Sequence, residues 1–267
     1  MLIAQISDMH IKPPGELLYR RIDTAGFLAR AVAHINALDP RPDVVLATGD
    51  LVEGGKAEEY ALLRRLLAPL AMPVYLIPGN HDARETLRAA FADHAYLPKD
   101  GFVQYTVEDW PVRLIALDTL VPGKTHGELC AERLAWLQAR LAESDRPTLI
   151  FMHHPPFECG IAPFDGHRLL AGEKELVALV RRHPQVERAI CGHVHRPIQL
   201  RWAGTMASIA PSTAHQATLD LHDGAPFSMM MEPPGVALHL WKPGTGLITH
   251  VSYVGTYEGP QPFRPLS

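Results

Sequence analysis

Met1-Leu-Ile-Ala-Gln-Ile-Ser7 runs directly into Asp8-Met9-His10. A short apolar run of this kind predicts a buried strand, and it ends in a carboxylate and an imidazole. The same arrangement recurs along the chain. Apolar runs at Asp43–Thr48, Val74–Ile77, Thr148–Met152 and Val186–Cys191 lead into Gly49-Asp50, Gly79-Asn80-His81-Asp82, His153-His154 and Gly192-His193-Val194-His195. A sixth strand is predicted at Val112–Leu117. Between the first two strands, Phe27, Leu28, Ala31, Val32, Ile35 and Leu38 recur every three or four residues, with Asp23 and Thr24 placed to cap a helix. Ala57–Leu70, Arg84–Phe91, Ala131–Leu141 and Glu173–Arg182 carry looser helical patterns. Strands alternating with helices predict an α/β protein with a largely parallel sheet. In such sheets, groups beyond the carboxyl ends of different strands meet in one crevice, so the five polar strand ends are expected to build a single site.

The bulk properties agree with a folded enzyme-sized chain. It has 267 residues, 47% hydrophobic and 20% charged, which excludes a disordered or fibrous protein. A net charge of −4 provides no positive field for a nucleic-acid polymer or an anionic membrane. Cys130, Cys159 and Cys191 are three, with no C-x-x-C spacing, which gives neither a disulfide framework nor a thiolate zinc site. No apolar run is long enough to span a membrane, and the start lacks the basic and apolar regions of an export signal. A reducing, cytoplasmic setting is therefore expected.

After His195 the pattern changes to alternating runs at Ile198–Trp202, Thr205–Ile209, Val236–Trp241 and Leu247–Tyr253, which predict a second sheet. Residues 201–267 are read as completing that sheet around an excursion near 219–234, without forming an independent domain. Within the excursion, Met229-Met230-Met231 is read first as core filler or a buried turn, because thioethers adapt to irregular gaps. A subunit contact or a flap beside the site is the sharper alternative. His34 and the Arg pairs at 64–65 and 181–182 are read as exposed helix faces.

The donors at the strand ends are imidazoles, carboxylates and one carboxamide. That set suits borderline divalent ions such as Zn, Mn, Fe or Co, and it holds more donors than one ion can take. Two ions sharing a bridging carboxylate would clamp a phosphoryl group and lower the pKa of a bound water from 15.7 to about 7.

The ordered set Asp8-x-His10, Gly49-Asp50, Gly79-Asn80-His81-Asp82, His153 and Gly192-His193-x-His195 resembles the calcineurin-like metallophosphoesterases over about the first 200 residues. Gly15-Glu16-Leu17-Leu18-Tyr19, Tyr75–Asp82, Met152-His153-His154-Pro155-Pro156 and Gly166-His167-Arg168-Leu169-Leu170 are similar to the bacterial glycerophosphodiesterase and class III cyclic-nucleotide phosphodiesterase branch. Residues 1–200 would then be the catalytic core of a four-layer α/β/β/α sandwich, two mixed sheets flanked by helices.

The resemblance implies that Asp8, His10 and His195 hold one metal, that Asn80, His153 and His193 hold the other, and that Asp50 bridges them. His81 would face the substrate, stabilising the phosphorane or protonating the leaving alkoxide. Asn80, His154 and His215 would join it in binding substrate, although for His154 a hydrogen bond behind the ligands or loop packing is the first reading. Asp82 is expected either to orient its loop or to cap the helix beginning at Arg84. The implied activity is hydrolysis of a small phosphodiester, with homo-oligomers suggested. Phosphomonoester or phosphonate monoester hydrolysis, and a non-catalytic metal-binding scaffold, are the alternatives.

Overall fold

The computed structural model describes residues 1–263. Leu2–Ile6 (β1), Val44–Thr48 (β2) and Val74–Ile77 (β3) lie side by side in parallel, joined by helices Thr24–Ala37 (α1) and Ala57–Leu67 (α2) and followed by Arg84–Ala90 (α3). α1 starts where its sequence signals: the Asp23 carboxylate accepts a hydrogen bond from Gly26 N at 2.9 Å. The chain then builds a second sheet from Tyr105–Val107 (β4) and Arg113–Ala116 (β5). Gly127–Glu128 (β6) and helix Ala131–Ala142 (α4) lead to Thr148–Phe151 (β7). A single turn at Ala162–Asp165 (α5) and Leu169–Ala171 (β8), which pairs with β6, precede helix Glu173–Arg181 (α6) and Val186–Cys191 (β9). Ile198–Trp202 (β10), Thr205–Ile209 (β11), Gln216–Ala217 (β12), Met229–Met230 (β13), Gly235–Lys242 (β14) and Gly246–Tyr253 (β15) follow.

The strand orders are β15-β14-β1-β2-β3 in one sheet and β10-β11-β9-β7-β5-β4 in the other. Both sheets are mixed: the second has a parallel centre and antiparallel strands at both edges, and the first is parallel from β1 to β3 and antiparallel on the β14–β15 side. Alternation along the strands places the four layers. Ala4, Ile6, Val45 and Ala47 pack with Leu28, Ile35, Tyr60 and Leu63 of α1 and α2. Their neighbours Ile3, Val44 and Leu46 pack with Leu114, Leu149, Phe151 and Ile190 of the opposite sheet. Ile115, Ile150 and Ala189 in turn meet Leu137, Leu176 and Leu179 of α4 and α6. The result is the α/β/β/α sandwich. Each fully buried Leu, Ile or Phe contributes roughly 1.5–3 kcal/mol to it.

The tail departs from expectation. β10 and β11 do extend the second sheet, but β14 and β15 join the first, where β14 runs antiparallel to the free edge of β1. Residues 198–253 thus complete both sheets, because the exposed edge of β1 is a ready template for pairing. A polar tie then holds the sheets together behind the loops. Gln5 Nε2 donates to Thr48 Oγ1 and to the Cys191 carbonyl, both at 2.9 Å, while Gln5 Oε1 meets His239 Nε2 at 3.1 Å.

The Met run divides: Met229 packs against Leu18, Ile22 and Ala214 and reaches the wall of a cavity, whereas Met230 and Met231 are exposed, because the excursion folds as a small flap and does not enter the sandwich. Its hinge is β12 pairing with β13. His34 is not free surface, since its Nε2 meets Ser252 Oγ at 2.7 Å on β15. Arg64, Arg65, Arg181 and Arg182 are exposed, as expected, and Arg64 pairs with Asp93.

Candidate active site

All five polar strand ends open on one side of the sandwich, and the backbone there is unusual. Asp8, His10, Asp50, His193 and His195 have φ of 55°, 45°, 46°, 72° and 55°. This left-handed region costs non-glycine residues of order 1–3 kcal/mol each, and it persists because the surrounding strands and hydrogen bonds over-determine it. The sharp turns aim side chains from different strands inward. Two glycines permit the close approach: a Cβ on Gly79 would collide with Asp50, and one on Gly192 with Ser7 Oγ.

The donors converge. Asp8, His10, Asp50 and His195 form one group and His153, His154 and His193 another, with the ligand atoms of each within 4.8 Å of one another. Asp50 lies between the groups: Oδ2 is 3.7 Å from His10 Nε2 and 3.3 Å from His153 Nε2, and Oδ1 accepts from His81 N at 2.9 Å. Asn80 Oδ1 is 3.2 Å from His153 Nε2.

Each of three imidazoles has its Nδ1 next to a protein acceptor. His10 meets Glu53 Oε2 at 2.8 Å, His153 the Thr48 carbonyl at 2.9 Å and His195 the His215 carbonyl at 3.2 Å. These contacts assign the proton to Nδ1 and leave the Nε2 lone pairs pointing at the cluster, the support that metal-binding histidines commonly have. His10 Nε2 and His195 Nε2 then face each other at 3.1 Å. Two lone pairs that close repel unless a cation lies between them. Asp8 and Asp50 are buried with only imidazoles as ion-pair partners, and the buried Nε2 of His193 has no partner among the described residues. The residues present fit divalent metal.

Charges inside the cluster are strongly coupled. Burial opposes ionisation of Asp8, but His195 outweighs it and lowers the pKa to about 2. Asp50 is likewise held well below its ordinary value, because the charge and hydrogen bond of His153 overcome burial. Burial disfavours the charge on His153, yet Asp50 raises it to about 9. His193, buried beside His153, is pushed down to about 3.

His81 stands on the cavity wall with its side chain 34% exposed. Its Nδ1 is 3.0 Å from the Glu53 carbonyl oxygen, and although burial opposes its charge, Asp50 and Glu53 raise its pKa. His215 also lines the cavity, with ring centroid 4.6 Å from His195, and burial together with His195 lowers it to about 2. His154 does not line the cavity. It is fully buried, Nδ1 meets Thr119 Oγ1 at 2.8 Å, and burial keeps it neutral, so its geometry fits the hydrogen-bonding reading and not phosphate contact.

Asp82 orients the loop and does not cap the helix, whose N-cap position is Ala83. Its Oδ2 accepts from Gly79 N at 2.8 Å and Leu51 N at 3.0 Å, and its Oδ1 from Tyr60 Oη at 2.7 Å. It thereby clamps the Asp50 loop to the Asn80 loop. Burial, then Asp50, raises its pKa to about 7. Asp82→Ala strands two buried N–H groups and should cost about 2–4 kcal/mol. Urea denaturation checks this, and a loss below about 1 kcal/mol would show that the loops hold without the clamp.

Glu53, three residues past Asp50, supports both His10 and His81, a role its place in Gly49-Asp50-Leu51-Val52-Glu53 does not announce. Arg196 was equally silent in the sequence. It donates to the Ala217 carbonyl at 2.9 Å and pairs with Glu232 at 2.5 Å, tying both arms of the flap beside His195. The cavity holds about 480 Å³, and its wall also includes Tyr19, Thr125, Phe164, His167, Phe227 and Met229.

Comparison with known proteins agrees with this arrangement. The profile of the calcineurin-like phosphoesterases matches residues 1–197. A probable glycerophosphodiester phosphodiesterase, GpdQ, of Arcobacter nitrofigilis is 41% identical over 264 residues, 98% of this chain and 97% of that one. The 3',5'-cyclic adenosine monophosphate phosphodiesterase CpdA of Escherichia coli K12 is 32% identical over 80% of this chain and 76% of its own. A dimetal phosphatase from Danio rerio superposes with a TM-score of 0.66 over 96% of this chain and 99% of that one, at 16% identity, which establishes a common fold. With its motifs gathered into one divalent-metal site on this sandwich, the chain belongs to the calcineurin-like phosphoesterase family.

Proposed function

We propose that the protein is a metal-dependent phosphoric diester hydrolase acting on small phosphodiesters of the glycerophosphodiester or cyclic-nucleotide type. The observation that carries this reading is the convergence of the His10, His153 and His195 Nε2 atoms on Asp8 and Asp50, with no Lys or Arg on the cavity wall among the described residues. Asp8, His10 and His195 would hold one divalent ion, Asn80, His153 and His193 a second, and Asp50 both, the ions being Fe, Mn, Zn or Co. When bound, they supply Lewis acidity toward the phosphoryl oxygens and a nucleophile at neutral pH.

The chain's own groups do the rest. Glu53 fixes the tautomer and ring angle of His10 and, through its carbonyl, leaves Nε2 of His81 as the free nitrogen at the wall. In the imidazolium form, which burial opposes but Asp50 and Glu53 favour, that nitrogen carries the proton given to the departing alkoxide. His215, neutral and on the wall, donates to a phosphoryl oxygen, and Asn80 orients the ester at the junction of the two groups.

Charge selects diesters. A monoester dianion calls for further cations, but Arg84 is committed to Asp118 at 2.6 Å and Lys12 to Glu16 at 3.5 Å. A p-nitrophenyl diester and its monoester, compared with the same metal loaded and leaving groups of matched pKa, should show the higher kcat/KM for the diester. A monoester faster by ten-fold or more would move the protein to the phosphomonoesterases. Turnover by neither would favour the scaffold alternative.

Two further assignments belong to this reading. Leu219, Leu221, Met230 and Met231 of the excursion are exposed, which supports association of copies through this region. Light scattering at micromolar concentration should show a multiple of the chain mass, and a monomer removes the idea. No helix among the described residues is long and apolar enough to cross a membrane, and Cys130, Cys159 and Cys191 are all free, which supports a cytoplasmic setting.

A further inference from the structure

The outer part of the cavity is a different surface from its metal-binding floor. Phe164 bridges the two: its ring is 6.3 Å from His193 on one side and 4.8 Å from Phe227 on the other, at 33° to the latter. His167 continues the wall, 6.1 Å from Phe227 and nearly parallel to it at 29°. Ala217 and Met229 complete an apolar face.

The two phenyl rings are held differently. Phe164 is 8% exposed and packed into the core beneath the second sheet, on a turn fixed by Asp165 accepting from Cys159 N at 2.6 Å and Gly160 N at 3.2 Å. Phe227 is 66% exposed but sits on the flap, whose arms are bonded at Thr218 N to the Ser228 carbonyl and held by Arg196. A large aromatic on a tethered segment, angled against a buried one at the mouth of a cavity and still two-thirds exposed among the described residues, is the construction of a ligand contact.

We propose that Phe164, His167 and Phe227 form a seat for the second ester substituent of the substrate, and that the seat selects an uncharged planar ring. This inference rests on the phosphodiesterase reading and narrows its substrate class. Three features commit it to a planar, uncharged group. Phe164 and Phe227 touch each other at 4.8 Å and lie, with His167, within 33° of parallel, so they make one aromatic platform whose open face a flat group covers better than a branched or saturated one. Among the described residues the wall carries no Lys or Arg to pair with a second anion. A glycerol substituent would bring hydroxyls against an apolar face, where each loses water without a full set of partners. Stacking on such a platform tolerates any flat heterocycle or aryl ring, so a nucleobase and a simple phenyl are read by the same chemistry.

The test uses the full chain loaded with Mn²⁺ and a series of p-nitrophenyl phosphodiesters sharing that leaving group, with phenyl, cyclohexyl, methyl or 2,3-dihydroxypropyl as the other ester. The phenyl ester should exceed the 2,3-dihydroxypropyl ester in kcat/KM by ten-fold or more, and the cyclohexyl ester should fall between them. Phe227→Ala should reduce the phenyl-to-methyl ratio by about 5- to 100-fold, the range for losing one stacked ring, whereas Phe227→Trp should retain it. Because Phe227 is exposed, its replacement leaves the core packing intact. Equilibrium binding of methyl phenylphosphonate against methyl ethylphosphonate reads the seat without turnover. Phenyl preference in binding with no hydrolysis of any ester would overturn the phosphodiesterase reading and leave the seat standing. No phenyl preference in either measurement, or a preference that survives Phe227→Ala, would overturn the seat.

Discussion

Asp50→Asn should bind the two proposed ions weakly and lower kcat/KM by about 10³-fold or more, beyond the 10–100-fold typical of a residue that only supports a ligand. The reason lies in where the carboxylate sits. Its Oδ2 is the atom shared between the two imidazole groups, 3.7 Å from His10 Nε2 and 3.3 Å from His153 Nε2, and it is buried. An amide there keeps the shape but removes the charge, so each group loses the anion that balances a divalent ion, and the NH₂ can point a donor at a site made for acceptors. Metal content after dialysis, measured alongside turnover, checks this. A variant with full occupancy and an undiminished rate would show that Asp50 does not bridge. The substitution leaves one contact to watch, because Oδ1 also accepts from His81 N. A crystal structure or circular dichroism spectrum of the variant separates loop displacement from loss of charge.

His81→Ala is expected to keep both ions and to lower kcat by about 10²–10⁴-fold for a substrate with a poor leaving group. For p-nitrophenolate, which departs without a proton, the loss should shrink toward ten-fold or less. The geometry predicts this split. His81 follows Asn80 directly but turns its ring to the cavity wall, with Nδ1 occupied by the Glu53 carbonyl and its side chain 34% exposed, the placement that the proposed proton-donor role needs. Loss of one equivalent of metal would make it a ligand, whereas an equal fall in rate for good and poor leaving groups with metal retained would make it a stabiliser of the phosphorane and not the acid. Measuring kcat across a leaving-group series and metal content on the same preparations distinguishes the outcomes.

Much of this site could be read from the chain because the determinants are local. Asp8-x-His10, Gly49-Asp50, Gly79-Asn80-His81-Asp82, His153 and Gly192-His193-x-His195 each follow an apolar run, and a strand that ends in polar groups can only deliver them to the carboxyl edge of its sheet. The α/β alternation up to β9 was legible for the same reason: period-two and period-three-to-four patterns are properties of neighbouring residues.

What the tertiary structure alone decided depends on which surface lies opposite a residue. The alternating runs of β14 and β15 would suit either sheet, and only the free edge of β1 assigned them to the first. Met230 and Met231 look like core by composition, but the flap has no layer above it, so they remain exposed. Asp82 has the sequence of a helix cap, yet the turn carries its carboxylate back to Leu51 N and Gly79 N. His153 and His154 are adjacent and chemically identical. The strand end sends one to Asp50 and the other to Thr119, where its surroundings keep it neutral. Residue type sets what a side chain can do, whereas its partner, and therefore its charge and its role, is set by the long-range packing of two sheets that no local pattern encodes.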